Sequence, residues 1–202
     1  MYEGKLIVVS GPSGAGKGTV CRMLIEEVEA FLSISMTTRD PRPGEINGES
    51  YGFISADKFK NMIEAGGFLE YAEVYGHYYG TPKQKVIDKI KEGKDVILEI
   101  DISGALQVKE LYPDGIFIFI LPPSMKELRN RLTKRGAETE DNINIRIAET
   151  LKEISYINKY DYCVVNGELN EAVSRLKAII TAEHSKVSNA AYELIEKYKE
   201  EA

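Results

Sequence analysis

The residues best suited to chemistry lie in one glycine-rich segment. Residues 11–19 read Gly-Pro-Ser-Gly-Ala-Gly-Lys-Gly-Thr. The spacing from Gly11 to Lys17 matches Gly-x-x-x-x-Gly-Lys, a loop whose backbone N–H groups surround phosphates while the lysine reaches the outer phosphates of a nucleoside triphosphate. The predicted nucleotide-binding residues are Gly11, Pro12, Ser13, Gly14, Ala15, Gly16, Lys17, Gly18 and Thr19. The alternative is a glycine-rich turn between a strand and a helix, with a solvated lysine.

One position of this loop departs from the general motif. Gly18 stands where a serine or threonine usually offers its hydroxyl to Mg²⁺, and Thr19 follows one residue later. The sequence therefore predicts no metal ligand in the loop itself. We expect Mg²⁺ to be held through the phosphates of the nucleotide and through water.

Two arginines occupy a second candidate phosphate site. Arg39 and Arg42 lie in a loop that Pro41 and Pro43 make stiff. A planar guanidinium can form two parallel charge-assisted hydrogen bonds to a phosphate, and a stiff loop limits the entropy lost in forming them. The alternative is an ordinary solvated loop.

A further arginine cluster follows the apolar run 116–121. Arg131 and Arg135 are four residues apart, so they share a helix face, and Arg146 lies on the next predicted helix. A helical pair that carries three arginines is typical of a lid that closes over transferring phosphates. The alternative is a salt-bridged surface pair of helices. Gly136 is predicted to end the first helix, and Thr139 to cap the second.

Buried strands and amphipathic helices alternate along the chain, which predicts an α/β fold with a parallel sheet. The predicted strands are 6–9, 31–35, 95–100, 116–121 and 163–165. The predicted helices begin near 17, 56, 83, 128, 140, 169 and 188. Residues 51–81 are rich in tyrosine and predict a small α+β insert, with strands on either side of a turn at Gly76. Asp101, at the carboxyl end of the strand 95–100, is placed to hold Mg²⁺-bound water or to brace an arginine, and Glu99 is the second candidate.

Composition limits the remaining possibilities. The 202 residues carry a formal net charge of −6, which argues against a general nucleic-acid or membrane-surface binder. We expect neither kind of partner. Cys21 and Cys163 are too few for a disulfide framework and lack metal-ligand spacing. No signal-type segment is evident, so a cytoplasmic location is expected. The sequence leaves the oligomeric state open.

Several motifs together give the sequence a resemblance to guanylate kinases. These are Gly-Pro-Ser-Gly-Ala-Gly-Lys, Ser-x-Thr-Thr-Arg-x-Pro-Arg-Pro-Gly-Glu at 35–45, Asn-Gly-x-x-Tyr at 47–51, Phe-Leu-Glu-Tyr at 68–71, Tyr-Tyr-Gly-Thr at 78–81, Ile-Asp-Ile-Ser-Gly at 100–104 and Arg-Gly-x-Glu-Thr at 135–139. They occur in the family's order between about residues 4 and 183. The resemblance implies a P-loop nucleoside monophosphate kinase fold with a five-stranded parallel core. It also implies ATP-dependent phosphorylation of GMP, and of dGMP, with Mg²⁺. Gly18 itself is similar to the Gly-Lys-Gly-Thr ending of adenylate kinases.

The same resemblance implies a division of the chain and a set of ligands. The core is expected at 1–34, 82–123 and 157–202, a GMP-binding lobe at 35–81 and a lid at 124–156. The implied GMP ligands are Ser35, Arg39, Arg42, Tyr51, Glu70, Tyr79, Thr81 and Asp101. The implied catalytic residues are Lys17, Arg39, Arg131, Arg135 and Arg146. Asn166 is expected near the ATP base.

Base recognition has a physical basis in three of these residues. Guanine presents N1–H and a 2-amino group side by side, and an ionised Glu70 accepts from both. Adenine offers neither donor and would leave the carboxylate unpaired. The hydroxyls of Ser35 and Thr81 are expected to donate to guanine O6. Two rivals are a kinase for AMP or UMP, which Glu70 argues against, and a peptide-binding scaffold domain, which the intact Lys17 argues against.

Overall fold

A computed structural model describes residues 4–74, 76–134, 140–187 and 189–201 as an α/β protein. The strands are β1 Leu6–Ser10, β2 Ala30–Leu32, β3 Met36–Thr37, β4 Gly52–Phe53, β5 Phe68–Val74, β6 His77–Pro82, β7 Asp95–Glu99, β8 Ile116–Leu121 and β9 Tyr162–Val165. The helices are α1 Lys17–Glu27, α2 Ala56–Glu64, α3 Lys83–Lys91, α4 Ile102–Leu111, α5 Met125–Lys134, α6 Glu140–Ile154, α7 Leu169–His184 and α8 Asn189–Glu201, with a 3-10 helix at Ser155–Lys159.

The central sheet has five parallel strands in the order β2-β7-β1-β8-β9. Every residue of β1 is buried, as expected for a strand covered on both faces. On one face Ile7 packs in a core with Leu24 of α1 and Leu176 of α7. On the other face Val8 packs in a core with Val108 of α4. The predicted fold class is confirmed.

The segment after β2 forms a second sheet of four strands in the order β4-β3-β6-β5. Its β5–β6 hairpin is antiparallel, as the sequence predicts. The ring of Phe59, on α2, stacks on Phe68 at 4.3 Å between centroids and on Tyr78 at 5.4 Å. Tyr78 is therefore one of the packing tyrosines of this segment.

Two element predictions differ from the structure in detail. The strand expected at 31–35 ends at Leu32, so Ser35 lies in the connection that precedes β3. Helix α4 was not predicted, because Asp101-Ile-Ser-Gly resembles a loop. In the structure the Asp101 side chain caps this helix by accepting from Gly104 N at 2.7 Å. Helix α7 begins at the predicted Leu169 and ends at His184.

The parallel sheet brings its functional segments to one edge. The loop 11–16 follows the carboxyl end of β1, Glu99 and Asp101 lie at the end of β7, and Asn166 follows β9. This is the edge at which open α/β sheets bind ligands. Within the described residues, no helix combines the length and apolarity needed to span a membrane.

Candidate active site

The glycine-rich loop is held from behind by Asn166. The side-chain amide of this buried residue donates to Ala15 O at 2.8 Å, and its own N–H donates to Leu121 O at 2.8 Å. Gly16 has φ of 91°, and a Cβ there would lie 2.4 Å from Asn166 Nδ2. The loop can therefore approach Asn166 only with glycine at position 16. Asn166 supports the loop backbone in this structure.

Lys17 folds back over the loop that precedes it. Its Nζ donates to Gly11 O at 2.6 Å and to Pro12 O at 3.2 Å. Burial lowers the pKa of Lys17, while the nearby carboxylates, Glu99 first and then Glu153, act in the opposite direction. The ammonium group thus lies in the concavity of the loop, where carbonyl oxygens satisfy it.

Two of the predicted lid arginines reach the same loop. Arg131, on α5, donates from Nη2 to Asn166 O at 3.0 Å and from Nη1 to Ala15 O at 3.4 Å. Its Nε donates to Glu127 at 3.0 Å. Arg146, on α6, donates to Ser13 Oγ at 3.4 Å. Arg135, Gly136 and Thr139 lie outside the described residues.

The second sheet contains a small buried polar pocket. Thr81 and Glu70 are cross-strand partners in the β5–β6 hairpin, and Thr81 Oγ1 donates to Glu70 Oε1 at 2.6 Å. Ser35 Oγ lies 3.5 Å from Thr81 Oγ1. The single hydroxyl proton of Thr81 is directed at Glu70 in this arrangement, and donation from Thr81 to guanine O6 stays a prediction. Thr81 orients the carboxylate, and the Ser35 hydroxyl lies next to Thr81.

The environment of Glu70 perturbs its titration. Burial raises the pKa of Glu70 to about 7, the Thr81 hydrogen bond opposes this, and the charge of Asp101 adds to it. Helix α4 closes the pocket from the other side, where Gly104 packs against the carboxylate. A Cβ at Gly104 would lie 2.5 Å from Glu70 Oε2. Asp101 thus lies beside the pocket, where one of its oxygens caps α4, and its expected role with Mg²⁺-bound water or an arginine stays a prediction.

Arg39 is buried and paired with Glu45. Its Nη1 and Nη2 donate to the two oxygens of Glu45, each at 2.6 Å, and Nη1 also donates to Asp40 O at 2.8 Å. The hydrogen bond from Arg39 holds the pKa of Glu45 at about 2. The Nε–H and the second hydrogen of Nη2 are not used by Glu45 or Asp40, and this second edge of the guanidinium faces the Tyr79 hydroxyl.

Two of the predicted tyrosines lie against this guanidinium. Arg39 Cζ lies 5.1 Å from the centre of the Tyr51 ring, and Tyr51 meets Tyr79 edge-on at 5.9 Å. The Tyr79 hydroxyl also hydrogen bonds with Arg39. Arg42 is exposed, and its backbone N–H donates to Glu45 at 2.8 Å. Arg39, Tyr51 and Tyr79 therefore form one cluster, with Arg42 at its rim.

Sequence reasoning missed three residues of this region. Glu45 entered the sequence analysis only as one residue of a motif. Its position three residues after Arg42 is the feature that could have identified it as a partner of this loop. Gly104 shows its importance only through its distance from Glu70. Glu153 accepts a hydrogen bond from the Ser13 backbone, and burial raises its pKa. No sequence signal marked Glu153.

The part of the chain that the structure describes contains no group of three or more His, Cys, Asp or Glu side chains arranged to hold a metal ion. Cys21 is buried and Cys163 is exposed.

Comparison with known proteins agrees with this geometry. The guanylate kinase family model matches residues 3–183. A guanylate kinase of Clostridium tetani is 58% identical over 187 residues, 93% of this chain and 90% of that protein. One from Caldanaerobacter subterraneus subsp. tengcongensis is 57% identical, over 92% of this chain and 90% of that protein. The crystal structure of guanylate kinase from Anaplasma phagocytophilum superposes with a TM-score of 0.78 at 35% identity, covering 92% of this chain and 89% of the other. The chain therefore belongs to the guanylate kinase family.

Proposed function

We propose that this protein transfers the terminal phosphoryl group of ATP to GMP, and to dGMP, and forms ADP and the corresponding diphosphate. Residues 11–19 bind the ATP phosphates and Asn166 supports that loop. Residues 35–81 form the GMP-binding lobe and 124–156 the lid, while 1–34, 82–123 and 157–202 form the core. The observation that carries the proposal is the buried carboxylate of Glu70, held by Thr81 at 2.6 Å next to Ser35.

Glu70 accounts for the choice of base. An ionised carboxylate accepts from N1–H and the 2-amino group of guanine, and Ser35 donates to O6. With adenine the carboxylate would be buried without donors. Sites built around substrate hydrogen bonds reject an analogue that lacks them by a factor of about 10⁴ or more. Asp101 contributes through its charge on Glu70 and through the α4 cap that places Gly104 against the carboxylate.

The GMP phosphate is assigned to the arginine cluster. Glu45 occupies one edge of Arg39, and the remaining edge, which lies against the Tyr79 hydroxyl, can offer its N–H groups to a phosphate when that hydroxyl gives way. The hydroxyls of Tyr51 and Tyr79 add neutral donors, and Arg42 adds a charge at the rim. Because Glu45 fixes the guanidinium before GMP arrives, little side-chain entropy is lost on binding.

Phosphoryl transfer requires positioning and charge stabilisation. A phosphate oxygen of GMP forms a bond to the terminal phosphorus of ATP as the bond to the bridging oxygen breaks, and that oxygen leaves on ADP. Lys17 stabilises the charge on the transferred group by exchanging its carbonyl partners for phosphate oxygens. Arg131, Arg135 and Arg146 act from the lid. Mg²⁺ would neutralise phosphate charge at the loop, where Glu99 and the space at Gly18 fit it. No general base is needed because the acceptor is a phosphate oxygen.

The test is an ADP-release assay with ATP and Mg²⁺, in which GMP, dGMP, AMP, UMP and CMP are offered in turn. We expect turnover with the two guanine nucleotides, since the selecting contacts are to base and phosphate, and loss of that turnover in Lys17→Ala. Equal turnover with AMP would overturn the role of Glu70. Binding of GMP without turnover of any acceptor would identify a binding module instead.

A further inference from the structure

One side chain of helix α4 forms a pair of hydrogen bonds with the backbone of strand β5. Gln107 accepts from the Tyr71 N–H at 3.3 Å through Oε1, and its Nε2 donates to Tyr71 O at 3.1 Å. β5 is the last strand of the four-stranded sheet, and an edge strand directs part of its N–H and C=O groups away from its sheet. The carboxamide of Gln107 therefore supplies the donor and the acceptor that a neighbouring strand would supply.

Three successive residues of β5 depend on contacts with the core. Leu69 belongs to the buried cluster on which α4 packs. Glu70 lies against Gly104 of α4, where a Cβ would lie 2.5 Å from Oε2. Gln107, three residues further along α4 and so on the same side of the helix, binds the backbone of Tyr71. One helix thus contacts the carboxylate of Glu70 and fixes the backbone that follows it.

Pairing with β6 is irregular at this part of β5. The register of the hairpin shifts between Phe68 and Glu70, so the ladder is interrupted where the Glu70 carboxylate turns into the pocket. Irregularities of this kind re-aim a side chain and disturb the local hydrogen bonds between strands. The two bonds from Gln107 are made at the first residue after Glu70. The placement of Glu70 relative to the core therefore depends on α4 as well as on β6.

We infer that Gln107 is a positioning residue for base recognition. It holds the backbone of β5 on α4, so that the Glu70 carboxylate meets N1–H and the 2-amino group of guanine together. This role rests on the proposed function of Glu70. Gln107 acts through the backbone of Tyr71, so its loss weakens the discrimination between bases and leaves the ATP site unchanged.

The experiment compares kcat/KM for GMP with kcat/KM for inosine monophosphate, whose base has N1–H but no 2-amino group. A hydrogen bond to a charged acceptor is worth up to roughly 100-fold, so the natural protein should prefer GMP by about that factor. In Gln107→Met, which has a similar length but cannot form either bond, this preference is expected to fall by about 10-fold or more, because a displacement of about 1 Å in a site can cost 100-fold. The KM for GMP rises, while kcat at saturating GMP and the KM for ATP are retained.

Gln84→Met is the matched control. It removes a carboxamide whose bond, to Asp88 at 2.7 Å, lies within α3, so the preference for GMP should be unchanged. Amide hydrogen exchange gives a second readout, since the Tyr71 amide should lose protection in Gln107→Met and keep it in Gln84→Met. If Gln107→Met does not fold, Gln107→Asn is used, because its carboxamide is one methylene too short to make both bonds, and the same fall is expected.

An undiminished preference for GMP in the folded Gln107 variant would overturn the inference, and so would unchanged exchange of the Tyr71 amide. Glu70→Gln separates this result from a failure of the proposed function, since it should lose most of the preference for GMP over inosine monophosphate. If Glu70→Gln kept that preference, the proposed role of Glu70 would be wrong, and the role of Gln107 would be wrong with it.

Discussion

The raised pKa of Glu70 makes a prediction about the pH dependence of GMP binding. Burial raises this pKa to about 7, so near neutral pH the empty site holds a mixture of protonated and ionised carboxyl groups. Only the ionised form accepts from both guanine donors. GMP binding at low pH must therefore remove a proton from Glu70, and the affinity falls accordingly. Glu70→Gln keeps the shape and the Thr81 contact but cannot titrate.

The size of the effect follows from the ionised fraction. With a pKa of about 7, that fraction rises from roughly one tenth at pH 6 to roughly nine tenths at pH 8, so Glu70 strengthens GMP binding about tenfold over this range. Calorimetric titration of GMP at several pH values measures it. The GMP phosphate loses its own second proton near pH 6, which also changes the affinity. Glu70→Gln binds GMP more weakly at every pH, and its pH dependence measures the effect of the phosphate alone. Parallel curves for the two proteins would refute this account of Glu70.

The raised pKa of Glu70 also predicts that the natural protein loses stability as the pH rises, whereas Glu70→Gln does not lose this contribution. A carboxyl group whose pKa is raised by folding binds more protons in the folded state, so its contribution to stability is present below pH 4.5 and is lost between about 4.5 and 7. Between pH 5 and pH 8 the unfolding free energy of the natural protein should fall by about 2 to 3 kcal/mol relative to that of Glu70→Gln, since one pKa unit corresponds to about 1.4 kcal/mol. Urea unfolding without nucleotide checks this. An equal change in unfolding free energy between pH 5 and pH 8 in the two proteins would contradict it.

Two substitutions should separate the two nucleotide sites. Gly104→Ala places a methyl group 2.5 Å from Glu70 Oε2, so we expect the KM for GMP to rise at least about tenfold while ADP binding is unchanged. Asn166→Ala removes the bond to Ala15 O, and losing a buried hydrogen-bond partner costs about 1 to 3 kcal/mol. We therefore expect ADP to bind about 5- to 150-fold more weakly, with GMP binding retained. Steady-state kinetics and calorimetry measure both, and an effect of either variant on the other site would show that the sites are not separate.

The sequence predicted the centre of the sheet well because β1, β7 and β8 are short, largely buried apolar runs. Strand β8 begins and ends at the predicted residues, and helix α3 begins at the predicted Lys83. The predicted strand 31–35 extends beyond the observed end of β2 at Leu32, because alternating apolar and hydroxyl residues do not show where backbone pairing stops. The tyrosine-rich hairpin was predicted because Gly76 is typical of a tight turn between two strands.

Contacts between distant residues were beyond sequence reasoning. That Thr81 gives its proton to Glu70 depends on the register of β5 and β6, which contains an irregularity between Phe68 and Glu70. The pocket's dependence on Gly104 comes from the packing of α4 on β5, and α4 itself was not predicted. Residue types therefore identified the chemistry of the site, while the orientation of each donor and acceptor required three-dimensional pairing.

The hydrogen-bond partners of Lys17 and Arg39 explain how an acidic protein can bind phosphate groups. With a net charge of −6, long-range attraction to nucleotides is absent, so phosphate binding depends on local groups. Lys17 already has the carbonyl oxygens of Gly11 and Pro12 as acceptors, and Arg39 already has Glu45. A phosphate that reaches Lys17 replaces neutral acceptors, so most of the charge–charge interaction is gained on binding. A phosphate that reaches Arg39 adds to an existing ion pair, so it gains less energy but meets a fixed geometry. We therefore expect Lys17 to dominate the binding energy of the transferred phosphates, and Arg39 to determine how the acceptor phosphate is aligned.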